Sequence, residues 1–209
     1  MNNSERVYCY VDGYNLYRST RELVIKMGHL EQIWYDLIKL AELFIDDNQD
    51  ISRVYYCSAP YSFRGDKIQM PQKVRESRQA QHLFCQYHQR LYGKERFKIK
   101  FGYFAPISSD SGKPLFREKQ TDVNLALLAL DDAHRDLYDH AYIVSGDGDF
   151  APLGRFIQRM GKKISFILPP GASNHRLAKK FTTHQINGGH IKSSQFNPGE
   201  NAPNTYDIY

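Results

Sequence analysis

The sequence predicts an α/β protein in three layers, a mostly parallel sheet with helices on both faces. Two observations carry this. Five short apolar or β-branched runs, at 6–11, 51–58, 97–104, 140–145 and 163–168, are separated by segments with helical apolar spacing. That alternation builds parallel sheets from βαβ units. Two of the runs also end in Asp and Gly, at Asp12-Gly13 and at Gly146-Asp147-Gly148-Asp149, the chemistry of a strand that turns sharply.

Arg6 to Val11 is the first strand, feeding a helix-like segment from Leu16. Gln32 to Ile45 carries apolar residues at 33, 34, 37, 38, 40, 41 and 44, a helical period. Ile51 to Ser58 is the second strand, and 59–66 is a loop containing Pro60 and Gly65. Gln69 to Tyr92 is a polar helix with a loose stripe of Val74, Leu83, Phe84, Tyr87 and Leu91. Phe97 to Phe104 is the third strand, and 105–116 is a loop. Thr121 is the expected N-cap of a helix over 122–135. At 100° per residue its apolar face centres on Val123, Ala126, Leu127, Leu130, Ala133 and Leu137. Asp122 falls at the edge of that face, and Asp131 points half a turn away as a solvated charge.

His140 to Ser145 is the fourth strand, followed by a helix over 151–160 that Gly161 closes. Lys163 to Leu168 is the fifth. Pro169-Pro170-Gly171 turns the chain, and Ser173 or Asn174 starts a short basic helix to Phe181. Gly188 to Ile191 is a candidate edge strand. From Ser193 onward Pro, Asn, Gly and Ser dominate, so 1–192 reads as one domain and 193–209 as a poorly ordered tail.

With 209 residues the chain suits one domain, and a hydrophobic content of 41% supports a real core. A net charge of +5 favours an anionic partner and is compatible with nucleic acid. Cys9, Cys57 and Cys85 are odd in number and far apart, which argues against a disulfide framework or a zinc site. Buried thiols in a reducing compartment follow. No apolar run approaches the ~20 residues of a membrane span. The polar N-terminus leads straight into a strand without a signal peptide, so a cytoplasmic protein is expected.

Parallel strands bring their C-terminal ends to one edge, where open α/β sheets bind ligands. Asp12, Asp147 and Asp149 end strands there, and Asp122 opens a helix. Four carboxylates at one edge repel unless a cation sits among them. Hard oxygen donors without a His/Cys cluster select Mg²⁺ or Mn²⁺, and such a site suits in-line displacement at phosphorus. Asn15 orients a ligand or water there, or caps the helix from Leu16. Lys119, Arg64, Lys67, Asn174, Arg176 and Lys179 are the candidate phosphate contacts. Tyr14, Tyr61 and Phe63 are candidates for stacking on bases. Arg75, Arg78 and Arg90 read as an exposed helix face, and Lys94, Arg96, Lys98 and Lys100 as the opposite edge.

Three motifs together resemble the NYN domain family of the PIN-like nuclease superfamily. They are Val11-Asp12-Gly13-Tyr14-Asn15-Leu16, Glu118-Lys119-Gln120-Thr121-Asp122-Val123-Asn124 and Ile143-Val144-Ser145-Gly146-Asp147-Gly148-Asp149-Phe150. Pro169-Pro170-Gly171 with Ser173 and Leu177 is similar to one subgroup. The resemblance runs from Val7 to Ile191. It implies a Rossmann-like (PIN-like) sheet of order 3-2-1-4-5, with the first and fourth strands adjacent. It also implies metal-dependent cleavage of RNA by Asp12, Asp122, Asp147 and Asp149, with Asn15 beside them. Gly148 departs from the usual Ser, for which a looser turn is expected.

Single-stranded RNA is the expected partner; DNA and a homo-oligomer stay open. A non-catalytic RNA-binding protein of the same fold is the alternative. A haloacid-dehalogenase-type phosphatase needs a second Asp two residues after the first, where Tyr14 stands. A nucleotide-binding domain would carry a glycine-rich loop after the first strand, and none follows.

Overall fold

The first strand, β1 (Glu5–Asp12), has its last six residues buried. A strand apolar on both sides belongs in the middle of a parallel sheet covered on both faces. The computed structural model, which describes residues 4–60, 72–107 and 115–196, places it there. β1 pairs in parallel with β2 (Gln49–Ser58) on one side and with β6 (His140–Val144) on the other. β3 (Phe97–Phe101), β7 (Lys163–Leu168) and β8 (Thr182–Gln185) extend the sheet, giving the order β3-β2-β1-β6-β7-β8.

The expected five-stranded order 3-2-1-4-5 is corrected in two respects. The sheet carries a sixth strand, β8, at its far edge. A separate antiparallel hairpin, β4 (Tyr103–Ile107) and β5 (Leu115–Lys119), also intervenes in the chain before the next sheet strand. The expected third strand, 97–104, is cut at Gly102. A Cβ there would meet the Lys119 carbonyl oxygen at 2.2 Å, so the hairpin's return strand crosses where only glycine fits. Part of the expected 105–116 loop is therefore strand.

α1 (Gly13–Met27), α2 (Leu37–Glu42), α3 (Gln72–Arg96) and α7 (Gly188–Ser193) cover one face of the sheet. α4 (Thr121–His134), α5 (Ala151–Arg159) and α6 (His175–Ala178) cover the other. β1 shows why: Val7, Cys9 and Val11 enter the first core, and Tyr8 and Tyr10 the second, as strand alternation requires.

Three further expectations change. The 32–45 segment is not one helix. A 3₁₀ turn (Leu30–Ile33) takes up its start, Trp34 is extended, and α2 begins only at Leu37 under an Asp36 cap. The 188–191 segment is helical because Asn187 and His190 form a reciprocal cap.

The buried face of α4 is Thr121, Leu125, Ala129, Asp132 and Ala133, while Val123 and Leu127 are 60% and 61% exposed. The apolar count misplaced this face because a polar residue lies on it. The Asp132 carboxylate accepts the Tyr10 hydroxyl at 2.8 Å. Asp131 is exposed and pairs with Arg135, as read from the wheel.

Packing continues past residue 193. Ser194 is buried, Gln195 bridges to Tyr35, and Phe196 stacks edge-on against Tyr87. Residues 197–209 lie outside the described set. Cys9, Cys57 and Cys85 are free and buried, and burial pushes each thiol up to about 12. Among the described residues, no helix is long and apolar enough to cross a membrane.

Candidate active site

β1 and β6 are neighbours, so their C-terminal ends sit side by side. Asp12 ends β1 and is 5% exposed. It caps α1: its Oδ1 accepts the Asn15 amide at 3.1 Å, and its Oδ2 accepts the Ser145 hydroxyl at 3.0 Å. The Ser145 Oγ in turn accepts the Asp147 amide at 3.1 Å. A short chain of hydrogen bonds thus fixes the two strand ends to each other.

The loop after β6 is clamped from two sides. The Asn15 Oδ1 accepts the Gly146 amide at 3.1 Å. The Asn174 Nδ2 donates to the Gly146 carbonyl at 3.0 Å. Close approach explains both glycines of the loop. A Cβ on Gly146 would stand 2.8 Å from the Ala172 Cβ, and one on Gly148 would stand 2.9 Å from the Asn174 Nδ2. The turn at Gly148 is tied down, since the Asp147 Oδ1 accepts the Asp149 amide at 2.8 Å and caps the 3₁₀ turn over 148–150.

The carboxylates sense one another. Asp12 is pushed up to about 7, chiefly by burial, with the charges of Asp122 and Asp147 adding to it. Asp122, in the first turn of α4, is raised by burial and then by Asp147 and Asp149. Glu118, at the end of β5, is pushed up to about 7 by burial, with Asp12 and Asp122 contributing. The Thr121 hydroxyl donates to Glu118 at 2.7 Å. Thr121 is thus the first helical residue tied to the hairpin; the N-cap position belongs to Gln120, with φ 72°. Glu118 is a fifth carboxylate that sequence reasoning passed over. It stands in the same motif as Asp122, and only the hairpin turns it inward.

The charges converge, but the oxygens are not gathered. Among the described residues, no three acidic, His or Cys side chains stand as a group that could hold a metal. The donor chemistry nonetheless fits a hard divalent cation, because the charges that raise Asp12 and Asp122 are those of neighbouring carboxylates.

The other predicted residues divide. Asn15 does not cap the helix from Leu16; Asp12 does, and Asn15 reaches to the loop instead. Lys119 is exposed at the end of β5. Asn174 is engaged as the cap of α6 and the Gly146 clamp, while Arg176 and Lys179 are exposed around α6. Arg64 and Lys67, with Tyr61 and Phe63, lie outside the described residues.

A wound parallel sheet with an acidic crest at its two central strands defines a Rossmann-like α/β protein, its candidate site at the strand ends where such sheets bind ligands. The NYN domain model matches residues 6–186, and the chain belongs to the NYN domain family, which lies in the PIN-like nuclease superfamily. The chain is also similar to the 6-hydroxy-3-succinoylpyridine 3-monooxygenase HspA of Pseudomonas putida. They are 26% identical, over 93% of this chain and 68% of that protein. A solved protein of unknown function from Vibrio parahaemolyticus shares the fold. It has a TM-score of 0.57 and 21% identity, over 90% of this chain and 96% of that one.

Proposed function

We propose that the protein is a metal-dependent ribonuclease that hydrolyses phosphodiester bonds at the β1/β6 crest. The observation that supports it most is the convergence of acidic charge on a buried Asp12, whose carboxyl is raised by burial and further by Asp122 and Asp147. Asp12, Asp122, Asp147 and Asp149 would hold Mg²⁺ or Mn²⁺. A bound ion there supplies an activated water and shields phosphate charge. Ser145 and Asn15 keep Asp12 and the 146–149 loop in place. Lys119, Arg176 and Lys179 offer cations to the nucleic-acid backbone from the rim. Three buried free thiols suit a reducing compartment, the cytoplasm.

The test is cleavage of a labelled single-stranded RNA with Mn²⁺ or Mg²⁺, beside EDTA and beside Asp147→Asn. Loss of cleavage in both controls supports the reading. Cleavage that survives both overturns it, and binding without cleavage moves the assignment to an RNA-binding protein.

Asn15→Ala separates positioning from folding. The Gly146 amide loses its acceptor, so stability is expected to fall by about 1 kcal/mol. Turnover is expected to fall more, by about tenfold or beyond, because a displaced loop misplaces Asp147. Melting curves and single-turnover rates on the same preparation check both.

A second reading draws on the monooxygenase relative and on one pocket. Gly13, Tyr14, Tyr17, Trp34 and Tyr56 line a small depression at the residue after Asp12, where aromatic rings offer faces for stacking. Oxygen consumption with a hydroxypyridine and a two-electron reductant would favour it.

A further inference from the structure

We propose that a single strand of nucleic acid reaches the acidic crest along a groove between α3 and the ends of β2 and β3. The inference rests on the nuclease reading and adds the path of the substrate. The groove has a volume of about 730 Å³, and its lining includes Pro60, Arg75, Arg78, Gln81, His82 and Phe101. Arg75, Arg78 and His82 are spaced i, i+3 and i+7, so they form one stripe along α3. All three are exposed.

Among the described residues, no acidic side chain lines the groove. Arg18, Arg53, Arg96 and Arg135 each face a carboxylate. Among the described residues, Arg75 and Arg78 are in no ion pair. Phe101, the last residue of edge strand β3, is 40% exposed in the same groove. Cations beside an open aromatic ring are what a single strand needs, the first for phosphates and the second for a base.

The groove also leads to the site. Gln81 lines both it and the aromatic depression at Gly13, the residue after Asp12. The Gln81 Nε2 donates to the Ser58 Oγ at 3.0 Å, which fixes this junction to the end of β2. A strand lying on the arginines therefore runs past Gln81 toward Asp12. The stripe looks like an ordinary solvated helix face in sequence, and only the placement of β3 beside it makes a channel.

The test is anisotropy of a labelled 12-nucleotide RNA, and of the matching DNA, on Asp147→Asn protein in EDTA. Arg75→Ser with Arg78→Ser is expected to weaken binding about tenfold. The dependence of log Kd on log salt should flatten by about 0.7 per lost phosphate contact. Phe101→Ala is expected to weaken binding about tenfold without changing that slope. Arg90→Ser, further along α3 and stacked on Tyr87, removes the same charge away from the groove and should shift Kd less than twofold. Melting curves confirm that each variant is folded.

Groove variants that bind like the parent overturn the proposal. So does an Arg90→Ser effect equal per charge to that of the pair, or a parent that binds neither strand. Cleavage by protein with Asp147 intact separates the two readings. Cleavage unaffected by the groove substitutions leaves the nuclease standing and removes the path. Binding that depends on the groove, with no cleavage, does the reverse.

Discussion

Asp12→Asn is expected to lower cleavage of single-stranded RNA by about 10³-fold or more, and at the same time to raise the melting temperature of the metal-free protein. The first effect follows from the position of Asp12 at the centre of the acidic crest, where removing one preorganised electrostatic group is costly. The second follows from its burial. Its carboxyl is pushed up to about 7, so the folded protein binds its proton more tightly than the unfolded chain does.

The folded state therefore loses stability as pH rises from about 4 to about 7. Asparagine removes that loss. It keeps an oxygen for the Asn15 amide, and its Nδ2 can donate to the Ser145 Oγ. The gain is absent below about pH 4 and full above about pH 7, with a ceiling on the order of 4 kcal/mol. At pH 8 in EDTA a rise of several degrees is expected. Adding Mn²⁺ should raise the melting temperature of the wild type more than that of Asp122→Asn. A melting temperature that falls sharply in Asp12→Asn would mean that the carboxylates are structural and not a strained site.

Asp36→Ala is expected to destabilise the fold by about 3 kcal/mol without touching the acidic crest. Asp36 is fully buried. Its Oδ1 accepts the Ile38 and Lys39 amides at 2.9 and 3.1 Å, which starts α2. Its Oδ2 accepts the Tyr92 hydroxyl, and its own amide donates to the Ser194 carbonyl at 2.8 Å. His88 completes the cluster. Burial pulls it down to about 4, so it is neutral, and its Nε2 accepts the Leu37 amide at 3.0 Å.

Alanine strips a helix cap worth about 1 kcal/mol and leaves the partly buried Tyr92 hydroxyl without its acceptor, at 1–3 kcal/mol more. Urea denaturation should show the midpoint fall with the slope unchanged. Tyr92→Phe, which removes only the hydroxyl, should cost about 1 kcal/mol. Equal costs for the two variants would show that the cap contributes nothing.

Much of the candidate site was legible because its residues sit where local patterns end. The runs at 6–11 and 140–145 are short, apolar and closed by Asp and Gly, so their type and direction follow from the chain itself. With both strands parallel, Asp12 and Asp147 had to share an edge. Glu118 was not legible, since a charged residue in a loop-like stretch gives no sign of burial until a hairpin folds over it. Arg75 and Arg78 were read as a solvated face for the same reason: the residue that turns them into a channel wall, Phe101, comes from another element.

The sequence by itself determined the α/β class, the central strands and the acidic residues at their ends, because these depend on apolar spacing and turn chemistry within a few residues. Only the tertiary structure decided which polar groups are buried. Asp132 faces inward because Tyr10, on β1, supplies a donor. Asp36 breaks a helical period because Tyr92 and Ser194 converge on it. Asp12 is driven up toward neutrality because the sheet closes over it and α4 brings a second charge. A buried polar residue needs a partner, and that partner can lie more than a hundred residues away, where no local window reaches.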